Sequence, residues 1–361
     1  MALLGIILLV ILIFGVLIFV HEFGHFLAAK RAGVEVEEFG FGFPPTIVGK
    51  QVGGTFYSLN WIPLGGFVRM KGEALTDVSA GAFGAASFWQ KTRILFAGVI
   101  MNVLLAYAVL LWLCLTGLPP VIAGQFSSGT ASYAQPKQVM VVDTVSGSPA
   151  TTAGIVRGDI ILSGDGQSFS SENDILRFTK AHAGASVTLQ VEHHGVTRTV
   201  RPHLRPPGAK DGFLGVTPFQ TYKLRYNLPD AVVTAAGITG QLIWATLSAF
   251  GGLVAGLVAH GQVSDNVAGP VGIVVLLKAV SDLGVAYVLI FVASISISLA
   301  VLNALPLPAL DGGRWALAAA QRLTHKSLSQ RLEMAVHATG FAALILLMVV
   351  ITFFDIKHLH Q

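Results

Sequence analysis

The sequence has little charge and almost no cysteine. Only 12% of its 361 residues are charged, whereas 53% are hydrophobic, which excludes an ordinary soluble protein and indicates an integral membrane protein. Cys114 is the only cysteine, so an intramolecular disulfide is impossible and the redox compartment cannot be inferred. The net charge of +4 comes without a basic stripe interleaved with aromatic residues, so no nucleic-acid partner is expected.

The first apolar run carries no charged or strongly polar side chain from Leu3 to Val20. As an α-helix it would span roughly 27 Å, close to the hydrocarbon thickness of a bilayer. It has neither a basic n-region nor a small-residue cleavage site, so it does not read as a cleavable signal peptide. The run therefore predicts a membrane-spanning helix.

This run ends in His21-Glu22-Phe23-Gly24-His25. Residues four apart stack on one face of a helix, so His21 and His25 can share one metal ion. Glu22 lies about 100° round the helix, turned toward the water or substrate that would fill an open position on the metal. The pattern also occurs by chance in ordinary helices, but ionisable groups at the end of a spanning helix are expensive and functional by default. We therefore interpret the motif as a metal site.

A stretch rich in glycine and β-forming residues follows the first helix. Thr55 to Ile62 alternates between two faces, with Ser58 and Asn60 on one of them, and Pro63 interrupts the pattern. It predicts short hairpins that lie against the membrane or dip into it. An ordinary solvated hairpin is the alternative.

Three later runs are also long and apolar enough to span a bilayer: Ile94–Leu118, Gly284–Leu305 and Ala335–Phe354. Asn102 is an awkward polar residue within the first of them. An Asn in a spanning helix commonly bonds to a neighbouring helix, and this role and a catalytic role both stay open.

Asp311 is the only acid between Asp282 and Glu333, and it follows a helix broken by Pro306 and Pro308. It could simply cap the helix that begins after it. Because the two histidines lack a third ligand, we favour Asp311 in that role. Carboxylate ligation suits zinc, and three protein ligands leave a fourth position for water.

From Gln138 to about Pro218 the composition becomes that of a soluble domain. The ordered set Gly147-Ser148-Pro149-Ala150, Ala153-Gly154-Ile155 and Gly158-Asp159 resembles a PDZ domain of the circularly permuted bacterial type. Such domains add an extended peptide to a sheet edge. A small β-rich module without a ligand is the alternative.

The combination of His21-Glu22-x-x-His25, a PDZ insertion and Asn303-x-x-Pro306-x-Pro308-x-Leu310-Asp311-Gly312 resembles the site-2 protease family of intramembrane zinc metalloproteases. The likeness covers nearly the whole chain and is greatest to the bacterial regulator of sigma-E protease. One departure matters: that protease carries two PDZ modules, whereas only one fits here.

The resemblance implies that His21, His25 and Asp311 hold Zn²⁺, and that Glu22 is the general base and then the proton donor. It implies that Asn102 and Asn303 hold the substrate backbone. It also implies that the strand near Thr55–Ile62, with Ser58 and Asn60, pairs with an unwound substrate. The substrate would be a transmembrane segment already trimmed by another protease, such as an anti-sigma-factor-like protein or a signal-peptide remnant.

The predicted architecture is an α-helical integral membrane protein with about four transmembrane helices, a membrane-associated β-hairpin region and one inserted extracytoplasmic PDZ domain of the α+β class. The predicted divisions are residues 1–118 for two helices and the β-region, 119–137 for a linker, 138–218 for the PDZ domain, 219–283 for an interfacial or re-entrant region and 284–361 for the last helices.

Ala235 to Ala259 is apolar enough to span the membrane. If it did, Asp311 would lie on the opposite side from His25, so we predict an interfacial or re-entrant helix. The expected location is a bacterial inner membrane with the active site toward the cytoplasm. The competing function is a catalytically inert PDZ membrane scaffold or chaperone. Nothing in the sequence determines the oligomeric state or the individual substrate.

Overall fold

The computed structural model describes residues 3–73, 75, 77–120, 122, 124–209, 212–260, 269–325 and 329–359. The elements run α1 (Leu3–Ala32), β1 (Val36–Val52), β2 (Thr55–Met70), α2 (Phe88–Thr116), β3 (Ser132–Thr144), α3 (Pro149–Thr152), β4 (Ile160–Gly164), β5 (Gln167–Ser168), α4 (Glu172–Ala181), β6 (Leu189–His193), β7 (Val196–Val200), β8 (Val216–Arg225), α5 (Leu228–His260), α6 (Pro270–Leu283), α7 (Val285–Ala304), α8 (Asp311–Thr324) and α9 (Gln330–Leu359).

These elements form two compact units. The first comprises Met1–Val109, Thr239–Leu277 and Val292–Gln361, and the second comprises Leu110–Ile238 and Lys278–Phe291. Among the described residues, five helices are long and apolar enough to cross a membrane: Leu4–Ala32, Phe88–Thr116, Leu228–Gly256, Val285–Ala304 and Gln330–Lys357. Four of these match the four predicted spans. The fifth is α5, which is continuous over the segment predicted to be interfacial or re-entrant. Its length and composition alone do not distinguish such a helix from one that spans the membrane.

In the first unit, α1 and α2 approach each other closely because glycine occupies the contact. A Cβ added at Gly24 of α1 would lie 2.8 Å from the carbonyl carbon of Ala97 in α2. Small residues allow such close backbone approach between helices in a membrane. The contact brings the second half of α1, which carries the histidines, against the first half of α2.

The β-region is a single sheet of four short segments. Residues 36–43 pair on one side with residues 66–70 and on the other with residues 55–62, which pair in turn with residues 46–52. The chain reverses inside β1 at the cis Pro44–Pro45 bond. The predicted short hairpins therefore join into one sheet, and its two edges are 46–52 and 66–70.

The connection from α7 to α8 delivers Asp311. α7 ends at Ala304, two residues before Pro306, because the residue before a proline is driven out of helical geometry and proline has no N–H to donate. Gly312 and Gly313 are buried in the first turn of α8. A Cβ at Gly312 would lie 2.6 Å from the carbonyl carbon of Ala304, so glycine is needed for the turn to pack against the connection.

The second unit is built on a six-stranded sheet in the order β7-β6-β4-β3-β8, with β5 beside β4. A core that includes Val139, Val141, Ile161, Phe178 and Leu189 fills one side of it. The strands of this sheet extend beyond the predicted PDZ bounds of residues 138–218. β3 begins at Ser132, inside the predicted linker, and pairs to the end of β8 at Arg225, since Ser132 lies opposite Arg225. Part of the predicted region 219–283 therefore belongs to this sheet, and residues 261–268 of that region lie outside the described residues.

Candidate metal and catalytic site

Helix α1 presents His21 and His25 on one face, as their spacing predicts. Their Nε2 atoms lie 3.1 Å apart, and both side chains are buried. His25 Nδ1 donates to the carbonyl oxygen of Ile94 in α2 at 2.8 Å. This bond puts the proton of a neutral His25 on Nδ1, so Nε2 is left with a free lone pair directed at His21.

Asp311 reaches the histidines from a position 290 residues away. Its Oδ2 lies 3.0 Å from His21 Nε2 and 3.2 Å from His25 Nε2. Among the described residues, these three form the group of histidine and acidic side chains whose donor atoms converge closely enough for one metal ion. Two imidazole nitrogens and one carboxylate oxygen are a donor set that fits zinc.

Gly98 of α2 forms the wall beside these donors. A Cβ at this position would lie 2.6 Å from His25 Nε2 and 2.8 Å from His21 Nε2, so only glycine leaves the space around the nitrogens open. This is an independent sign that the donors fit a metal, because α2 has no side chain at the place where an ion would be held. Gly98 was visible in the sequence as a small residue four before Asn102, but its contact with the histidines was not.

Glu22 lies on the adjacent face of α1 and contacts the β-region. Its Oε2 accepts the backbone N–H of Val68 at 3.2 Å. Val68 lies in the edge segment 66–70, so the edge of the sheet nearest the histidines is directed at Glu22. The sequence predicted Glu22 near the site but not this contact, which joins residues 46 positions apart.

The side-chain amides of Asn102 and Asn303 differ in their hydrogen bonding. Asn102 is 1% exposed, and neither its Oδ1 nor its Nδ2 has a hydrogen-bond partner among the described residues. Ser296 of α7 donates to the Asn102 backbone carbonyl at 2.8 Å, so the helix contact there uses the main chain and not the amide. Asn303 donates from Nδ2 to Leu299 one turn earlier in its own helix, at 2.9 Å.

Ser58 and Asn60 do not lie at a free strand edge, and the expectation that they pair with a substrate is corrected. Ser58 lies opposite Gly40 on one side and Gly49 on the other, so its segment is internal to the sheet. Its hydroxyl donates to Glu38, and Asn60 Nδ2 donates to the carbonyl oxygen of Gly42. Periodicity identified a strand correctly but carried no information on which strands flank it.

Three such donors among long apolar helices are typical of a membrane metalloenzyme. The model of peptidase family M50 matches residues 9–347. The chain therefore belongs to peptidase family M50, the site-2 proteases, and is a zinc-dependent membrane endopeptidase.

Several known proteins are similar to this chain over nearly its whole length. A Clostridium perfringens relative is 32% identical over 354 residues, which are 96% of this chain and 97% of the relative. Zinc metalloprotease RasP of Geobacillus kaustophilus is 28% identical and covers 96% of each chain. Regulator of sigma-E protease RseP of Escherichia coli is 28% identical over 439 aligned positions, with 96% of this chain and 97% of RseP covered. Together with the apolar helices, these relatives support a bacterial inner-membrane protein.

The RseP alignment is longer than the 361 residues of this chain, so RseP has additional residues that are not matched by this chain. Among solved structures, the PDZ domain of the SdrC-like protein of Listeria monocytogenes matches 25% of this chain and 93% of its own at 22% identity. Its TM-score of 0.21 is too low to establish a shared fold.

Proposed function

We propose that the chain cleaves transmembrane segments of single-span membrane proteins, with zinc held by His21, His25 and Asp311. The observation that carries the proposal is the convergence of three donor atoms, which lie 3.0–3.2 Å from one another. Two come from α1 and the third from the start of α8, far away in the sequence. Zinc bound there would lower the pKa of a bound water to about 7 and polarise the scissile carbonyl.

Glu22 is the group that moves the proton. It does not converge with the three donors, so it is free to accept a proton from the attacking water and pass it to the nitrogen of the leaving peptide. The Val68 N–H holds the Glu22 carboxylate in position through its Oε2. General acid–base catalysis of this kind contributes about 10²–10⁴-fold to rate.

The substrate backbone is bound in extended form. A helical peptide hides its carbonyls from attack, and an unwound one in lipid needs partners for its freed N–H and C=O groups. Three features supply them. The Asn102 amide is buried and neither of its polar atoms has a hydrogen-bond partner among the described residues, so both atoms are available to the substrate backbone. The edge segment 66–70 lies next to Glu22, so we assign pairing to this edge in place of Thr55–Ile62. Asn303 keeps its amide oxygen for the same task.

The residues near the site agree with a cytoplasmic location. Trp315 of α8 donates to Thr92 at the start of α2. Asp311, at the start of α8, therefore lies on the same side of the membrane as the end of α1 and the start of α2. For His25 and Asp311 to meet, the chain must cross the membrane an even number of times between them. α2 and α7 make two crossings, and α5 with α6 therefore makes an interfacial or re-entrant excursion. The basic residues that then lie in the cytoplasm are Lys30, Arg31, Arg69, Lys71, Lys91, Arg93, Arg314, Arg322, Lys326 and Arg331, of which Lys326 is outside the described residues.

The extracytoplasmic domain is a PDZ-like module that acts as a steric gate, so that only substrates already trimmed by another protease are admitted. We place a peptide ligand on β8, which is one of the two edge strands of the sheet and lies beside α4. This edge is already blocked: Pro218 has no N–H, and the Gln220 N–H donates to the Glu172 carboxylate of α4 at 2.9 Å.

The test of the proposed function is cleavage of single-span model substrates by the purified protein, with and without a chelator. Cleavage within the transmembrane segment that stops with chelator and returns with added zinc is the expected result. Bound zinc without turnover of any membrane peptide would favour the inert scaffold instead.

A further inference from the structure

The connection that carries Asp311 satisfies all but one of its backbone N–H donors locally. Leu305, Leu307 and Leu310 each donate their N–H to a nearby carbonyl, at 3.2, 2.7 and 3.2 Å. Pro306 and Pro308 have no N–H. Ala309 is therefore the residue of this connection whose backbone donor needs a partner from elsewhere, and inside a membrane protein such a donor is costly to leave unpaired.

Ala309 also adopts a backbone conformation that alanine avoids. Its φ is +73°, in the left-handed region that favours glycine. A non-glycine residue keeps such a conformation when the surrounding structure imposes it. The residue lies two before Asp311, so whatever holds Ala309 also sets where the Asp311 carboxylate points.

The partner of Ala309 is a histidine on the last helix. The Ala309 N–H donates to Nδ1 of His337 at 3.1 Å. One turn further along α9, a Cβ at Gly340 would lie 2.9 Å from the carbonyl carbon of Pro308, so glycine is needed there for the helix to contact the connection. One turn earlier, Glu333 accepts the Leu75 N–H at 3.2 Å.

Glu333, His337 and Gly340 are spaced by four and three residues, which places them on one face of α9. Most of α9 is otherwise exposed to the surroundings of the unit. The helix therefore contacts the loop before Asp311 through a short, specific face and not through a broad apolar interface.

We propose that His337 is a positioning residue, whose Nδ1 holds the Ala309 N–H so that Asp311 is preset for the metal. The inference rests on the proposed role of Asp311 as a ligand. His337 does not reach the three donors itself. Its task requires a hydrogen-bond acceptor at the position of Nδ1, which the Oδ1 of an asparagine can replace and a leucine cannot.

The test compares His337→Leu with His337→Asn, using Met334→Leu on the exposed side of α9 as the matched control. The purified full-length proteins are loaded with zinc and titrated with a chelator to obtain zinc affinity. The absorption bands of the Co²⁺-substituted forms report the ligand set, and cleavage of a model substrate is separated into kcat and KM.

We expect His337→Leu to lower zinc affinity about 10–100-fold, the usual cost of losing a group that orients a ligand. Its Co²⁺ bands should shift, and kcat should fall with KM unchanged. His337→Asn should recover most of both, and Met334→Leu should match the wild type. Gly340→Val, which displaces the same loop from the other contact, should resemble His337→Leu.

Wild-type zinc affinity and Co²⁺ bands in folded His337→Leu would overturn the proposal, as would equal defects in His337→Leu and His337→Asn. Asp311→Ala is measured in parallel. If it keeps zinc at full affinity, the proposed ligand set fails. If it loses zinc while His337→Leu does not, only the positioning role of His337 fails.

Discussion

At the scale of single residues, Glu22 is distinct from the ligands because it lies beside the converging donors without joining them. We predict that Glu22→Gln abolishes cleavage while zinc stays bound, since the amide keeps the shape but cannot accept the proton. The rate should fall by about 10²–10⁴-fold. Metal content and cleavage of a single-span substrate measure the two effects. His21→Ala, His25→Ala and Asp311→Ala serve as comparisons and should lose both properties; zinc lost from Glu22→Gln would contradict the assignment.

Gly98 offers a second test at this scale, because it belongs to neither the ligands nor the base. Gly98→Ala would put a methyl group 2.6 Å from His25 Nε2. We expect zinc affinity to fall by at least about 10-fold, as for other changes to the surroundings of a ligand. Gly252→Ala in α5 is the matched control, since nothing lies within 4 Å of a Cβ there. Equal zinc affinity in the two variants would show that α2 does not confine the site.

At the scale of elements, the β-sheet has one edge beside Glu22. We predict that Val68→Pro slows cleavage about tenfold because it removes the N–H that holds the Glu22 carboxylate, and that it leaves zinc bound. Val68→Ala is the control because it shortens the side chain and keeps the N–H. Cleavage rates and zinc content of the two variants decide the point. A proline variant as fast as the alanine variant would show that the Val68 N–H does not position Glu22 for catalysis.

Proline at Ser58 or Asn60 would not test substrate pairing. Residues 55–62 are flanked by strand segments on both sides, so proline there removes ladder bonds inside the sheet. A defect in either variant would therefore reflect a damaged sheet and not a lost substrate contact.

At the scale of the whole molecule, the parity of crossings predicts that the start of α2 and the PDZ-like module face opposite sides of the membrane. In a Cys114→Ser background, cysteines at Ser87 and Lys180 should be labelled from opposite sides by an impermeant thiol reagent. Lys180 is exposed on α4. Labelling of both cysteines from one side would refute the topology.

The gate is tested by removing the module along its structural boundary. Deleting Ser132–Arg225 removes β3 and β8 together, whereas cuts at residues 138 and 218 would leave the paired ends of both strands behind. A domain of this size is about 25 Å across, wide enough to obstruct a bulky ectodomain. We expect the deletion variant to cut full-length substrate while cleavage of trimmed substrate persists. The ratio of the two rates is the measurement. A folded, zinc-loaded variant that still rejects full-length substrate would disprove the gate.

Several features of this protein follow from local sequence alone. The spacing of His21 and His25 determines their common face because helix geometry is set by neighbouring residues. The apolar runs identify membrane-spanning candidates because a bilayer imposes a length and a composition. Asp311 could be singled out as the third donor because no other acid lies near the end of α7 in the sequence.

Other features were decided only by tertiary structure, because they depend on which segments become neighbours. Strand alternation identified Thr55–Ile62 but could not tell that residues 36–43 and 46–52 flank it and leave the edge at 66–70. Helix propensity says nothing of Gly98 facing His25, or of His337 accepting the Ala309 N–H. Such contacts join residues tens of positions apart, and no periodicity within one segment encodes them.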